Sequence, residues 1–372
     1  MRTSAVAGIV FANAGDNLLK KLTSKRSVAS VPFGARYRLI DFSLSNLVNA
    51  GITSVGIITK ENYRSLMDHV GNGVHWELDR KNGGLYLLPP YLTRGVKKYE
   101  GTVDALYGAR DFIKRCKSEY FVICHANVLA NIDISAAVEE HIAKEADVTI
   151  IYKRGEVGVE NSDNLSLKLD SDNKVTSLDF NLEAGTKTAY GLGVTIINRD
   201  ILLSLTEKAY EEDLLSFSVD VLAKKVNQLK IYGFEHNEYA AFLKSTDSYY
   251  KASMDLLDVS VRRQLFNPKR PIYTKTRDDM PTKYGTKADV KNCLIADGCI
   301  INGTVRNSIL FRGVKVEKGA VVENCILMQE TSVGGGAQLN NVISDKNSAV
   351  GDEMILKGTE KEHFFIKKNE IV

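Results

Sequence analysis

The sequence predicts an α/β domain on a doubly wound, mostly parallel sheet, followed by a parallel β-helix. Three observations carry that reading. Short apolar runs alternate with amphipathic segments over residues 1–260. A charged stretch over 261–289, without periodicity, holds Pro268, Pro271 and Pro281, three of the chain's six prolines. A ten-residue pattern then recurs four times within residues 290–372.

In the first domain, residues 5–11, 55–59, 120–124 and 148–152 are almost uninterrupted apolar runs, as in strands covered on both faces. Between them, residues 39–50, 103–115 and 135–144 carry apolar side chains at helical spacing. This βαβ alternation places helices on both faces of one sheet. Residues 191–197, 231–234 and 239–243 read as further strands, and 216–228 and 247–259 as helices. The stretch 261–289 is a linker, because proline and clustered charge break both periods.

The repeat is the clearest feature of the second domain. Blocks 292–301, 307–316, 324–333 and 341–350 each open with Asn, carry Leu or Ile two positions on and end in Ile or Val. Their starts are 15, 17 and 17 residues apart. That period suits one coil of a three-sided parallel β-helix, with turns at Gly298, Gly313 and Gly319 and the asparagines stacked at one corner. A single coil cannot bury its apolar face, so the coils must stack. No histidine falls within 284–360 to support the acyl-transfer chemistry some β-helices perform, and the domain reads as structural.

Composition sets the outer limits. The 372 residues suffice for two domains with sizeable cores. A net charge of +3 points to neither nucleic acid nor a membrane surface as partner. The N-terminus has no signal-peptide pattern and no apolar run is long enough to span a bilayer, so a cytoplasmic location is expected. The five cysteines (Cys116, Cys124, Cys293, Cys299, Cys325) are odd in number and lack a C-x-x-C pair, which favours buried reduced thiols.

Three blocks, in order, carry a family resemblance: VPFGARYRLIDF (31–42), EGTVDA (100–105) and YYKASMDLL (249–257). Together with the β-helix they resemble the ADP-glucose pyrophosphorylases (glucose-1-phosphate adenylyltransferases) over essentially the whole chain. The fold so implied is a Rossmann-like nucleotidyltransferase domain, its sheet mixed and mostly parallel, followed by a left-handed β-helix. The family joins ATP to glucose 1-phosphate and releases pyrophosphate. Crowded anionic oxygens then call for magnesium held by carboxylates, cationic groups on the phosphates and a glycine-rich loop.

By that resemblance the chemical positions are altered here. The family's L-A-G-G-x-G-x-R-L loop aligns with residues 11–19: Asn13 and Ala14 stand for paired glycines, Asp16 for a glycine and Leu18 for the phosphate-binding arginine. Val28 aligns with the lysine of K-P-A-V-P, and Asn181 with the sugar-phosphate lysine of F-x-E-K-P. Asn127 and Phe242 align with the two magnesium-binding aspartates of G-D-H-I-Y and D-V-G-T-I-D-A-Y. The resemblance therefore implies no catalytic residue, metal site or cofactor in this chain. It is similar to the family's non-catalytic companion subunits, which implies a catalytic partner subunit holding magnesium, an α2β2 heterotetramer and a possible phosphorylated effector.

Other positions stay open between two roles. Lys25 and Arg26 fit an anionic effector site or a solvated basic loop. Gly101, Thr102 and Asp104 fit a vestigial nucleotide site, or a helix start with Thr102 as N-cap. Arg36 and Arg38 serve an anion or anchor Asp41, and His125 reads as a satisfied core histidine. The alternative to an inactive subunit is a divergent but active sugar-1-phosphate nucleotidyltransferase that makes ADP-glucose with Asp41, Asp104 or Asp133 as new metal ligands. A third reading is a sensor of phosphorylated ligands without a fixed partner.

Overall fold

The computed structural model describes residues 5–13, 19–90, 99–158, 164–180, 182–360 and 362–372. In the first domain the strands are β1 (Val6–Phe11), β2 (Pro32–Phe33), β3 (Tyr37–Arg38), β4 (Ser54–Ile58), β5 (Gly84–Leu88), β6 (Tyr120–His125) and β7 (Val128–Ala130). They continue with β8 (Val148–Glu156), β9 (Ser166–Leu169), β10 (Val175–Asp179), β11 (Lys187–Asn198), β12 (Ile231–Glu235) and β13 (Ala240–Phe242). The helices are α1 (Leu39–Asn49), α2 (Arg64–Val70), α3 (Thr102–Gly108), α4 (Arg110–Arg115), α5 (Ile134–Ala143), α6 (Arg199–Glu211), α7 (Thr246–Asp255) and α8 (Val259–Leu265).

Among the described residues nine strands form one mixed sheet. It is parallel through β6, β1, β4 and β5, and antiparallel where β11 enters between β6 and β8. Strand β1 shows why both faces must be covered. Val6 and Val10 point to the face packed by α1, α2 and α5, while Ala7, Ile9 and Phe11 point to the face packed by α3, α4 and α6. Each fully buried Val, Ile or Phe contributes roughly 1.5–3 kcal/mol.

Three expected helices differ: the one over 247–259 ends at Asp255, and Val259 opens α8. The one over 103–115 is split into α3 and α4, because the chain turns at Ala109 between them. The one over 216–228 is a wide π turn (Phe217–Leu222) and a short 3-10 turn (Ala223–Lys225). There the Asp220 carboxylate accepts the backbone N–H groups of Leu215 and Ser216, which pulls the first turn away from α-helical geometry.

The second domain begins its first coil at Lys283–Tyr284 and stacks three parallel five-stranded sheets into a left-handed β-helix. Asn292, Asn307, Asn324 and Asn341 all sit at one corner with φ between 44° and 53°. Asparagine tolerates this left-handed region better than other residues with a Cβ. Asn292 Nδ2 donates to Asn307 Oδ1 at 2.9 Å, so the side chains also bond up the stack. The next corner holds Gly298, Gly313, Glu330 and Asn347, all at positive φ. Gly319, Gly336 and Glu353 mark the third.

The domains share a continuous apolar seam. Leu22, Val28, Phe33, Phe42, Tyr249 and Leu256 join Ile309, Phe311, Ile326, Met328 and Ile343 in one buried cluster. Across it Arg26 Nη2 donates to both Asp345 oxygens at 2.7 and 2.9 Å. All five cysteines are free; Cys124, Cys299 and Cys325 are buried, whereas Cys116 and Cys293 are only half-buried. Among the described residues no helix is long and apolar enough to cross a membrane.

Candidate functional site

The aligned positions gather where β1 and β6 end side by side, with β7 and β13 paired beyond them. Asn13 follows β1, and its amide closes onto the end of β4. Its Oδ1 accepts the Lys60 N–H at 2.7 Å and its Nδ2 donates to the Glu61 carbonyl at 3.3 Å. A side chain here serves loop structure. Ala14, Asp16 and Leu18 lie outside the described residues, as does Asn181. Val28 is fully buried in a 3-10 turn within the seam between the domains.

Asn127 occupies the turn between β6 and β7 and is 5% exposed. Its carbonyl accepts the Leu243 N–H at 2.9 Å, while its side-chain Oδ1 has no hydrogen-bond partner among the described residues. Phe242 pairs with Val128 across β13 and β7 and packs near Tyr190, ring centroids 6.3 Å apart. A hard divalent cation takes anionic or well-placed oxygens. One neutral amide and a phenyl ring do not fit it.

Cationic and aromatic groups stand there instead. Lys244 Nζ donates to Asn164 Oδ1 at 2.6 Å and lies 5.5 Å from the Phe242 ring centroid. His125 packs edge-on against Phe11 and is pushed down to about 4, first by burial and then by the Lys244 charge. It is neutral at physiological pH and makes an inert wall. The sequence reading gave Lys244 and Asn164 no role. Lys244 was legible as a lone charge following the apolar run of β13.

The remaining candidates have structural partners. Gly101 faces the 215 backbone so closely that a Cβ would lie 2.1 Å from the Leu215 carbonyl oxygen. Thr102 is not the N-cap: Gly101 holds that place, and the Thr102 hydroxyl accepts the Phe217 N–H at 2.8 Å. Asp104 Oδ2 accepts the Glu100 N–H at 3.0 Å. Glu100 and Asp104 also border a groove of about 1460 Å³ between β5 and helices α3 and α4. Asp41 is anchored by His69 Nε2 at 2.5 Å and by the Arg38 N–H, while the Arg38 guanidinium turns to Ser65. Asp133 caps α5 and pairs with Arg270. The three aspartates therefore serve separate structural sites.

Lys25 is exposed, whereas Arg26 is buried in its pair with Asp345. Around that pair positive charge accumulates. Lys346 is pushed down to about 7, mainly by burial and further by Arg38 and Arg26. Arg38 is held at about 10, chiefly by burial, with Arg26 and Arg277 adding to the effect. Asp345 and Lys346 were missed in the sequence, although a signal was present. Asp345 occupies the repeat position held by Ala296, Phe311 and Met328 in the other blocks.

Fold and cleft together define a nucleotidyltransferase-type α/β domain joined to a left-handed hexapeptide β-helix. Residues 14–179 match the nucleotidyl transferase family, and residues 279–372 the GlmU-like C-terminal hexapeptide family. The chain is 36% identical over 369 residues to the glycogen biosynthesis protein GlgD of Bacillus subtilis (strain 168), covering 99% of this chain and 97% of that protein. It is 39% identical over 365 residues to GlgD of Geobacillus stearothermophilus, covering 98% and 96%. A glucose-1-phosphate adenylyltransferase of Clostridium perfringens (strain SM101 / Type A) is 32% identical over 337 residues, 87% of this chain and 84% of that protein. The chain belongs to the family of the GlgD glycogen biosynthesis proteins, relatives of the glucose-1-phosphate adenylyltransferases.

Proposed function

We propose that this chain acts in cytoplasmic glycogen biosynthesis as a regulatory, catalytically inactive subunit of glucose-1-phosphate adenylyltransferase. It assembles with a catalytic subunit, as an α2β2 heterotetramer, and raises or tunes that subunit's activity. The observation that carries this reading is the presence of Asn127 and Phe242 on the paired β6–β7 turn and β13, which offers magnesium no anionic oxygen from either aligned position. Magnesium belongs to the partner's site. The divergent-enzyme reading needs Asp41, Asp104 or Asp133 as ligands, and their existing structural bonds weigh against it.

An anionic, phosphorylated effector fits the seam between the domains. Arg26, Arg38 and Lys346 bring positive charge together there, and Arg26 Nη1 is buried without a hydrogen-bond partner among the described residues. Lys25 lies on the adjoining surface. The test is ADP-glucose synthesis by this chain alone, by a catalytic subunit alone and by the two co-expressed. Activity well above that of the catalytic subunit, seen only in the co-purified complex, is expected. Turnover by this chain alone would overturn the reading, and failure to co-purify would favour a free-standing sensor.

A further inference from the structure

The groove of about 1460 Å³ follows β5, at the edge of the large sheet, from Glu100 ahead of α3 to Lys117 beyond α4. Much of its apolar surface is aromatic. Tyr86 on β5 is 45% exposed, yet its ring rests against Phe112 with centroids 5.3 Å apart. Its hydroxyl donates to the Gly83 carbonyl at 3.1 Å, so the ring is fixed while much of it stays open to water. On the helix side Tyr107 of α3 stacks on Tyr210 of α6, centroids 3.7 Å apart and planes 2° from parallel. The Arg110 guanidinium lies 4.2 Å from the Tyr107 centroid and donates to the Tyr107 carbonyl at 2.9 Å. Arginine and both rings form one rigid stack.

The charges along this groove cancel. Lys81, Arg110, Arg115 and Lys117 bring four cations to its lining. Glu100, Asp104, Asp111 and Asp213 bring four carboxylates. A phosphorylated ligand calls for an excess of positive charge, as at the seam around Lys346, and finds none here. Carboxylates only accept hydrogen bonds, and guanidinium and ammonium groups only donate them, so the mixture suits hydroxyls, which do both. Aromatic ring faces carry partial negative charge and attract polarised C–H groups. A pyranose presents both features, with hydroxyls around its rim and C–H groups on its faces. The groove also exceeds the roughly 300–1,000 Å³ of clefts that take one small molecule, which favours a chain of sugars over a single one.

We propose that this groove binds an uncharged oligosaccharide, a linear α-glucan, with Tyr86 as its stacking platform and Arg110 as a hydrogen-bond donor from the helix side. The choice of an α-linked glucan rests on the glycogen-biosynthesis reading, because glycogen is such a polymer. The groove itself does not depend on whether the chain is catalytically inactive. Bound there, the polymer holds this chain, and any subunit assembled with it, beside the material being built.

Calorimetry on the full chain with maltoheptaose tests the proposal. Millimolar or tighter binding is expected, with maltose at least tenfold weaker. Tyr86→Ala should weaken maltoheptaose at least tenfold, whereas Tyr86→Phe keeps the ring and should change it less than twofold. Arg110→Met leaves β5 untouched and should weaken binding at least threefold, which keeps the test intact if Tyr86→Ala fails to fold. No binding by the unaltered chain, or binding unchanged in both Tyr86→Ala and Arg110→Met, would overturn the proposal. Preference for the β-linked chain cellohexaose, or displacement of maltoheptaose by glucose 1-phosphate, would overturn the ligand class. These measurements need no catalytic partner, so failure of the inactive-subunit reading in the co-expression assay leaves their results standing.

Discussion

Lys346 couples the seam to pH. Its ammonium is pushed down to about 7 in the folded chain, below the ordinary lysine value of 10.5, by burial and by Arg38 and Arg26. Between those values the unfolded chain holds the proton that the folded chain has released. Stability from this group therefore rises with pH through the window from about 7 to 10.5, and its cost is fully present below 7. Urea unfolding between pH 7 and 9 should show a rise on the order of 1 kcal/mol per pH unit. Lys346→Met should flatten it, and an unchanged slope would place the titration elsewhere. A bound anion opposes the same burial cost, so a phosphorylated effector should stabilise the chain more at pH 6.5 than at pH 9.

At the scale of elements, the β-helix shows sequence and geometry in close agreement. Each coil must turn three times, and in the coils that open at Asn307, Asn324 and Asn341 each turn places one residue in the left-handed region. Asn307 has φ 44° and receives the Asn292 amide. Asn307→Ala should cost about 1–2 kcal/mol, the usual strain for a side chain with a Cβ in that region. Asn307→Gly should lose only the side-chain hydrogen bond. Thermal unfolding of the two variants separates backbone strain from the ladder.

That agreement explains what was legible beforehand. A repeat in which every corner and inward position recurs advertises its fold, and the apolar runs of β1, β4, β6 and β8 did the same for the sheet. Strands β9 and β10 and helix α6 were not assigned, because short half-exposed strands and a polar helix give weak periodic signals. The altered cleft positions were visible only through the family's motifs. Their replacement partners were not, because Lys244 meets Asn164 and Arg26 meets Asp345 across 80 and 319 residues of chain.

For the whole molecule, the Arg26–Asp345 pair is the test of how firmly the domains are joined. Both side chains are 3% exposed, and the single nitrogen Nη2 donates to both carboxylate oxygens. Removing one partner leaves the other charge buried and alone, so Arg26→Ala should destabilise the chain by about 3–5 kcal/mol. Arg26→Met/Asp345→Leu should recover most of that loss, because an apolar pair suits the surrounding seam. Chemical denaturation followed by tryptophan fluorescence (Trp76 is the only tryptophan) reports the first domain, and circular dichroism reports the β-helix. Coincident transitions are expected from the shared core, and separate ones would show that the domains unfold independently.

Val28 carries a consequence for any return to chemistry. The family resemblance aligns it with a lysine, a side chain whose charge needs water or an anion beside it. Here the same site is dry and lies in the cluster that cements the two domains together. Restoring the lysine would set an unpaired charge in that cement, at a cost of several kcal/mol. A single substitution back toward that lysine would therefore first have to break the wall between the domains.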